Sequence, residues 1–358
     1  MRFVTFTGAL ALVHTARASL NITLSQTGNT LIKAVVKNEG PDDINFVHYN
    51  FFGDTAPVKK VSIYRNGTQV DFEGIHQIYR MTKLTSDAVT NLVAGASYED
   101  EFDIVSNNDL SQGGTVTIYS EGYVNLVVTN GSVSGTMPYS SNELTIDIDP
   151  KQAKTVSKAR PMGKARTVTT CSPDRQAIVD TVLANTVNLA NAAADAATSG
   201  DAAQFNYYFK TTASRARERV SARLRGVARE AGSTSDNINY YCTDPWPEQG
   251  NCKENFLAYA WAQYSMIANC ELYYTLLTTE LPTVCEGQDE ATTAVHEFTH
   301  LPAVYDPPTS DFKYSDEALL LGSEQALENA DNYAMYATAV YLNCNLASLS
   351  SLDINWDS

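Results

Sequence analysis

Between residues 150 and 167 the hydrophobic period of this chain changes, and that change limits the folds open to it. Before it, Val, Ile, Thr, Tyr and Phe recur in short runs such as Asn21-Ile-Thr-Leu-Ser25, Leu31-Ile-Lys-Ala-Val-Val36, Val61-Ser-Ile-Tyr64 and Thr115-Val-Thr-Ile-Tyr119. Turn signals, Asn66-Gly67 and Gly113-Gly114 among them, fall between the runs. Such a pattern predicts strands, and strands at this spacing predict a sandwich. After the change, Ile178, Val182, Leu183, Val187, Leu189, Ala190 and Ala193 follow helical spacing toward Gly200. Val220, Leu224 and Val227 form the buried stripe of a second helix over 214–231. Arg215, Arg217, Arg219, Arg223, Arg225 and Arg229 lie mainly off that stripe, as on a solvated face. Short strands are expected over 237–242 and 256–264, and a last helix from about 315 through 343. The expectation is an α+β chain: a β-sandwich-like N-terminal segment, then a mainly α-helical domain with a small β part. A length of 358 residues suits about two such units.

The first eighteen residues stand apart from both. Arg2, the apolar run Phe3–Val13 and the small-x-small triplet Ala16-Arg17-Ala18 make a secretory leader, too short to span a bilayer. No later run is apolar enough to cross one, so an exported, extracellular protein is expected. All six cysteines, Cys171, Cys242, Cys252, Cys270, Cys285 and Cys344, lie in the second half and none forms a C-x-x-C pair. In an oxidising compartment an even number predicts three disulfides, with fifteen pairings open. The first half instead carries three Asn-x-Ser/Thr glycan acceptors, Asn21, Asn66 and Asn130. Residues 151–166 read as a basic tether, and Lys164-Ala-Arg166 is its best processing site because Pro161 disfavours cleavage after Arg160. That step divides the chain into a leader (1–18), a β-rich segment (19–166) and a helical domain (167–358).

Charge narrows the partners. The formal net charge is -16, and from Ala231 onward nineteen Asp and Glu face only Lys253 and Lys313. An acidic field of this kind repels nucleic acid and membranes and attracts cationic partners.

The chemistry is concentrated in Ala294-Val-His-Glu-Phe-Thr-His300. Residues four apart on a helix share a face, so His296 and His300 can grip one metal ion while Glu297 acts on a water there. Imidazole ligands suit zinc, which supports hydrolysis at neutral pH without redox chemistry. The apolar flanks Ala294, Val295, Phe298 and Leu301 argue for a buried helix, where His and Glu need partners. A chance match on an exposed helix is the alternative. No histidine follows His300, so the third ligand of a catalytic site should be a carboxylate. Asp306, Asp311, Asp316, Glu317, Glu324 and Glu328 are the candidates downstream.

Pro308-Thr-Ser-Asp311-Phe-Lys-Tyr314 resembles the Gly-Thr-x-Asp-x-x-Tyr-Gly signature of the deuterolysin (aspzincin) family of fungal secreted metalloproteases. Phe209-Lys-Thr-Thr, Arg229-Glu-Ala-Gly-Ser-Thr-Ser, Ala291–His300 and Asn329-Ala-Asp-Asn-Tyr-Ala-Met-Tyr-Ala are similar to family segments, so the resemblance covers essentially the whole chain. It implies one zinc ion held by His296, His300 and Asp311, with Glu297 as base and Tyr314 as oxyanion donor. It also implies the disulfides Cys171–Cys242, Cys252–Cys270 and Cys285–Cys344. The activity implied is a zymogen-derived endopeptidase, monomeric, acting on basic proteins and peptides, with its own propeptide as a partner. Two departures are Pro308 and Ser315 where the signature has glycine, and a tail runs on beyond Cys344. A catalytically weak or inactive secreted binding protein or virulence factor on the same scaffold is the alternative.

Overall fold

A computed structural model describes residues 20–159, 171–233 and 237–344. The leader, the processing site at Lys164–Arg166 and the tail after Cys344 lie outside the described residues. Buried and exposed side chains alternate along the first strands, as a sheet with one covered face requires. The strands are β1 (Leu20–Gln26), β2 (Leu31–Asn38), β3 (Ile44–Val47), β4 (Ser62–Arg65), β5 (Thr68–Gln69), β6 (Ile75–Tyr79), β7 (Val89–Leu92), β8 (Ser97–Asp103), β9 (Gly114–Tyr119), β10 (Glu121–Val127), β11 (Val133–Ser141) and β12 (Leu144–Ile148). Eleven of them form two sheets, ordered β7-β3-β10-β11-β1-β2-β8 and β12-β9-β4-β5. Ile22, Val36 and Phe46 from the first sheet meet Ile63, Ile118 and Ile146 from the second in one core.

The second half is mainly helical. It contains α2 (Pro173–Ser199), α3 (Ala202–Phe209), α4 (Ser214–Ala231), α5 (Glu271–Leu276), α6 (Glu290–Thr299), α7 (Ser323–Ala326) and α8 (Ala330–Tyr341); a single turn, α1 (Pro150–Ala153), precedes it. Helices α2, α4, α6 and α8 share a core built on Val182, Leu189, Val220, Leu224, Val295, Phe298 and Tyr336. Three short strands, β13 (Asn239–Tyr241), β14 (Phe256–Trp261) and β15 (Met266–Asn269), complete a mixed α/β chain. The cysteines pair Cys171–Cys242, Cys252–Cys270 and Cys285–Cys344. Among the described residues no helix is long and apolar enough to cross a membrane.

Four sequence expectations are corrected. The tether does not begin at 151: Asp149 caps α1, Ala153 is buried, and Lys158 is held by Glu73 and the Asn108 carbonyl. The helix expected over 315–343 is instead a 3-10 turn at Ser315–Leu320 followed by α7 and α8. The break comes at Gly322 and Asn329, because the Asn329 side chain leaves the helix to bind the Phe312 and Lys313 backbone. Nor do the α4 arginines all lie on a solvated face: Arg215, Arg225 and Arg229 are exposed, but the others are wholly or partly covered. Arg217 donates to the carbonyls of Ala196 and Gly200 at the end of α2, Arg229 to that of Ala303, and Arg223 is fully buried. The fourth correction joins the halves: β6, from the first half, pairs antiparallel with β14, giving a four-stranded sheet β13-β15-β14-β6. All five β6 residues are buried.

Candidate metal centre

Helix α6 carries the motif. Asp289 starts it with a reciprocal capping box: its carboxylate accepts from the Thr292 N–H at 2.7 Å, and its own N–H donates to the Thr292 hydroxyl at 2.8 Å. All ten residues of α6 are buried. Its last turn presents His296 and Glu297, and His300 closes it as C-cap. Pro302 then turns the chain away.

The segment that follows is tied down along its length. Thr309 N–H donates to the Thr299 carbonyl at 3.1 Å, and Ser310 exchanges backbone hydrogen bonds with Glu328 and Ala330. Asn329 accepts from the N–H groups of Phe312 and Lys313 at 2.8 and 3.2 Å and donates back to the Lys313 carbonyl at 2.9 Å. The Arg223 guanidinium donates to the Pro307 carbonyl. These contacts set the Asp311 carboxylate against the motif helix. Its Oδ1 lies 3.1 Å from His296 Nε2 and 3.3 Å from His300 Nε2.

None of those three atoms makes a hydrogen bond, and neither do the two carboxylate oxygens of Glu297, although all five are buried. Unpaired polar atoms at this depth are costly, and a cluster of them marks a place for an ion. Ligands around a tetrahedral zinc at 2.0–2.1 Å stand about 3.3 Å apart, which matches both Asp311–imidazole distances. The donor set of imidazole and carboxylate suits zinc. The outward-facing ring nitrogens are also engaged, as ligating histidines require: His296 Nδ1 meets Asp331 Oδ1 at 2.7 Å and His300 Nδ1 meets the Thr309 carbonyl at 3.1 Å. The residues therefore fit a zinc ion.

Burial, the dominant cause, pushes the Glu297 carboxyl up to about 8, against the pull of His296 and with the push of Asp311 and Asp331. Burial alone would raise the Asp311 carboxyl too, but the facing imidazoles of His300 and His296 hold it well below the carboxylate range. The buried Tyr314 phenol is raised well above its usual value and stays a neutral O–H donor. Its ring stands near that of His296, with centroids 6.0 Å apart and planes at 17°.

Of the six carboxylates considered as third ligand, Asp311 is the one that meets the imidazoles. Asp306, Asp316 and Glu324 are exposed, Glu317 is turned to Lys313 and Thr136, and Glu328 to Arg219. The sequence reading missed Asp331 and Asn329, whose only signal was their place in the family-like segment Asn329–Ala337. It also missed His76, on β6. His76, His300 and Asp311 offer ligand atoms that all lie within 4.8 Å of one another. His76 is one of only five histidines in the chain, and that scarcity was the available signal.

The chain is similar to known proteins over nearly its whole length. Residues 3–344 match the family model described as deuterolysin metalloprotease (M35). A neutral protease 2 homolog from Aspergillus terreus is 53% identical over 328 residues, covering 91% of this chain and 92% of that protein. Neutral protease 2 of Aspergillus oryzae is 48% identical over 360 residues, covering 96% and 100%. Among solved structures, a zinc peptidase from Grifola frondosa gives a TM-score of 0.37 at 16% identity, covering 47% of this chain and 97% of its own. With a matching family model over nearly its whole length and such relatives, this chain belongs to the deuterolysin metalloprotease family and is a zinc metalloendopeptidase.

Proposed function

We propose that the protein is a secreted endopeptidase made as an inactive precursor, with His296, His300 and Asp311 holding zinc. The observation that carries this reading is the convergence of five buried polar atoms without a hydrogen bond on Glu297 and those three side chains. Zinc, when bound, supplies Lewis acidity that polarises a peptide carbonyl and lowers the pKa of water to about 7. Glu297 takes the proton from the attacking water and hands it to the leaving amide nitrogen. A carboxyl pushed up to about 8 is suited to both halves of that transfer. Tyr314, kept neutral, donates its O–H to the oxygen on which negative charge grows.

Leader removal after residue 18 and cleavage after Arg166 would yield a mature enzyme from Thr167. The three disulfides lie within that enzyme. The glycan acceptors Asn21, Asn66 and Asn130 are exposed on the segment that is lost. The acidic second half supports a preference for Lys- and Arg-rich substrates, with rates that fall as salt rises.

Metal analysis of purified mature variants, freed of the first half and so of His76, tests the ligand set. Asp311→Ala is expected to lose stoichiometric zinc, whereas Asp306→Ala and Glu324→Ala keep it. Glu297→Gln should retain zinc and lose activity by about 10²–10⁴-fold. Full zinc occupancy in Asp311→Ala, or substantial peptidase activity in Glu297→Gln, would sink the assignment.

A further inference from the structure

Strand β6 brings two consecutive residues of the first half onto the metal centre. His76 is buried, and its ring lies flat on that of His300, with centroids 4.2 Å apart and planes at 4°. Its Nδ1 is 3.5 Å from Asp311 Oδ2. That is long for a hydrogen bond but close to the spacing of two ligands on one zinc ion, about 3.3 Å; since a metal lies near the plane of each imidazole that binds it and these two rings are parallel, ligation requires the His76 ring to turn out of the stack. The next residue engages the proposed oxyanion donor. The Tyr314 O–H donates to the Gln77 carbonyl at 3.2 Å, and Asn50 Nδ2 donates both to the Tyr314 oxygen at 3.0 Å and to the Gln77 carbonyl at 2.9 Å. Strand pairing fixes this register: His76 faces Ala260 and Gln77 faces Tyr259 on β14. The Gln77 side chain donates to the Asn251 carbonyl at 3.0 Å, pinning the same point from the other side.

A catalytic zinc site keeps three protein ligands and one open position, whereas a four-ligand site is closed and structural. We propose that His76 is a removable fourth zinc ligand that closes the site in the precursor, while Gln77 and Asn50 hold the Tyr314 hydroxyl out of use. This rests on the ligand reading above and adds to it the residue that keeps the precursor silent. A neutral imidazole nitrogen takes the position that water needs, so no nucleophile forms. The strand that carries it also covers the β14 edge, where an extended substrate could pair. Cleavage in the linker alone leaves β6 in its ladder; the latch opens only when the strand leaves and water replaces the imidazole. The nicked, still-associated enzyme is therefore latent as well.

X-ray absorption at the zinc edge counts imidazole ligands and reads the latch without reference to turnover. The intact zinc-loaded precursor is expected to show three imidazoles. The precursors His76→Asn and His76→Phe should each show two imidazoles with an added water oxygen. Phe keeps the ring on His300 but offers no nitrogen, so it separates ligation from packing. Both variants should lose zinc to a competing chelator at least tenfold faster than the wild type. Two imidazoles in the wild-type precursor, or equal chelation rates for wild type and His76→Phe, would overturn the proposal. The wild-type spectrum decides the matter even where a variant fails to fold. Stoichiometric zinc in a precursor carrying both His76→Phe and His296→Ala, where only His300 and Asp311 remain, would instead sink the underlying ligand set.

Discussion

Asp331 holds the His296 ring from behind: Oδ1 takes Nδ1 at 2.7 Å, and Oδ2 accepts from the Ser315 N–H. It thereby fixes one imidazole and anchors the backbone just past Tyr314. Asp331→Ala should lower zinc affinity about 10–100-fold, as loss of such a partner typically does, and chelator competition on the purified protein measures it. An unchanged affinity would mean that the ring is held by packing alone. Ser315 also answers the question raised by its replacement of a signature glycine. It adopts the left-handed conformation at φ 50°, so the turn survives without glycine, at a cost of about 1–2 kcal/mol. At this scale the motif was legible because His296, Glu297 and His300 are neighbours on one helix turn. Asp331 was not, because its partner is 35 residues away and no local pattern announces the pairing.

Helix α4 shows the same limit for elements. Its boundaries, Ser214–Ala231, follow directly from the apolar spacing, and so does α2 toward Gly200. What the spacing does not reveal is that Arg217 and Arg223 find carbonyl groups instead of water. Arg223 lies between the rings of Tyr305 and Tyr333 and donates to the Leu327 carbonyl at 3.0 Å, to the Tyr333 hydroxyl at 2.7 Å and to the Pro307 carbonyl. It thus ties α4 to the segment that delivers Asp311. Arg223→Met should destabilise the protein by about 2–5 kcal/mol, because several buried acceptors lose their donor together. Denaturant unfolding gives that number, and zinc content should fall in step as the Asp311 segment loosens. A variant with full stability would show that the segment is anchored elsewhere. The last helix was misread for a related reason: helical spacing continues through Asn329, but that side chain serves the Phe312–Lys313 backbone, and the chain breaks there.

For the whole molecule, the change of period falls between the residues of the two-sheet core and those of the helical core, since each is built from local runs. The third core, where Tyr49, Ile78 and Tyr79 pack with Phe256, Tyr259 and Tyr314, had no sequence signal. Its contacts span more than half the chain, and β6 read alone is a short strand with no assigned partner. Maturation at Arg166 would cut between these contributions while leaving Cys171 and the five later cysteines in one piece. N-terminal sequencing of the processed enzyme should read Thr-Val-Thr-Thr-Cys; a start ahead of Lys151 would place the boundary inside the β-rich side of the chain.

The seat of β6 at the rim of the small sheet also bears on how the enzyme is made. Residues 75–79 leave the ribosome long before residues 256–261, so β14 emerges with its neighbour already in place. A chain begun at Thr167 has no such neighbour, and β14 then carries an unpaired row of N–H and C=O groups while the helices are still assembling. Expressed that way, the enzyme should accumulate in aggregates, and adding residues 20–159 as a separate chain during refolding should raise the soluble yield several-fold. Equal yields with and without the added chain would show that the strand is dispensable for assembly. On this view the β-rich half is a template in cis, whose task precedes any cleavage of the chain.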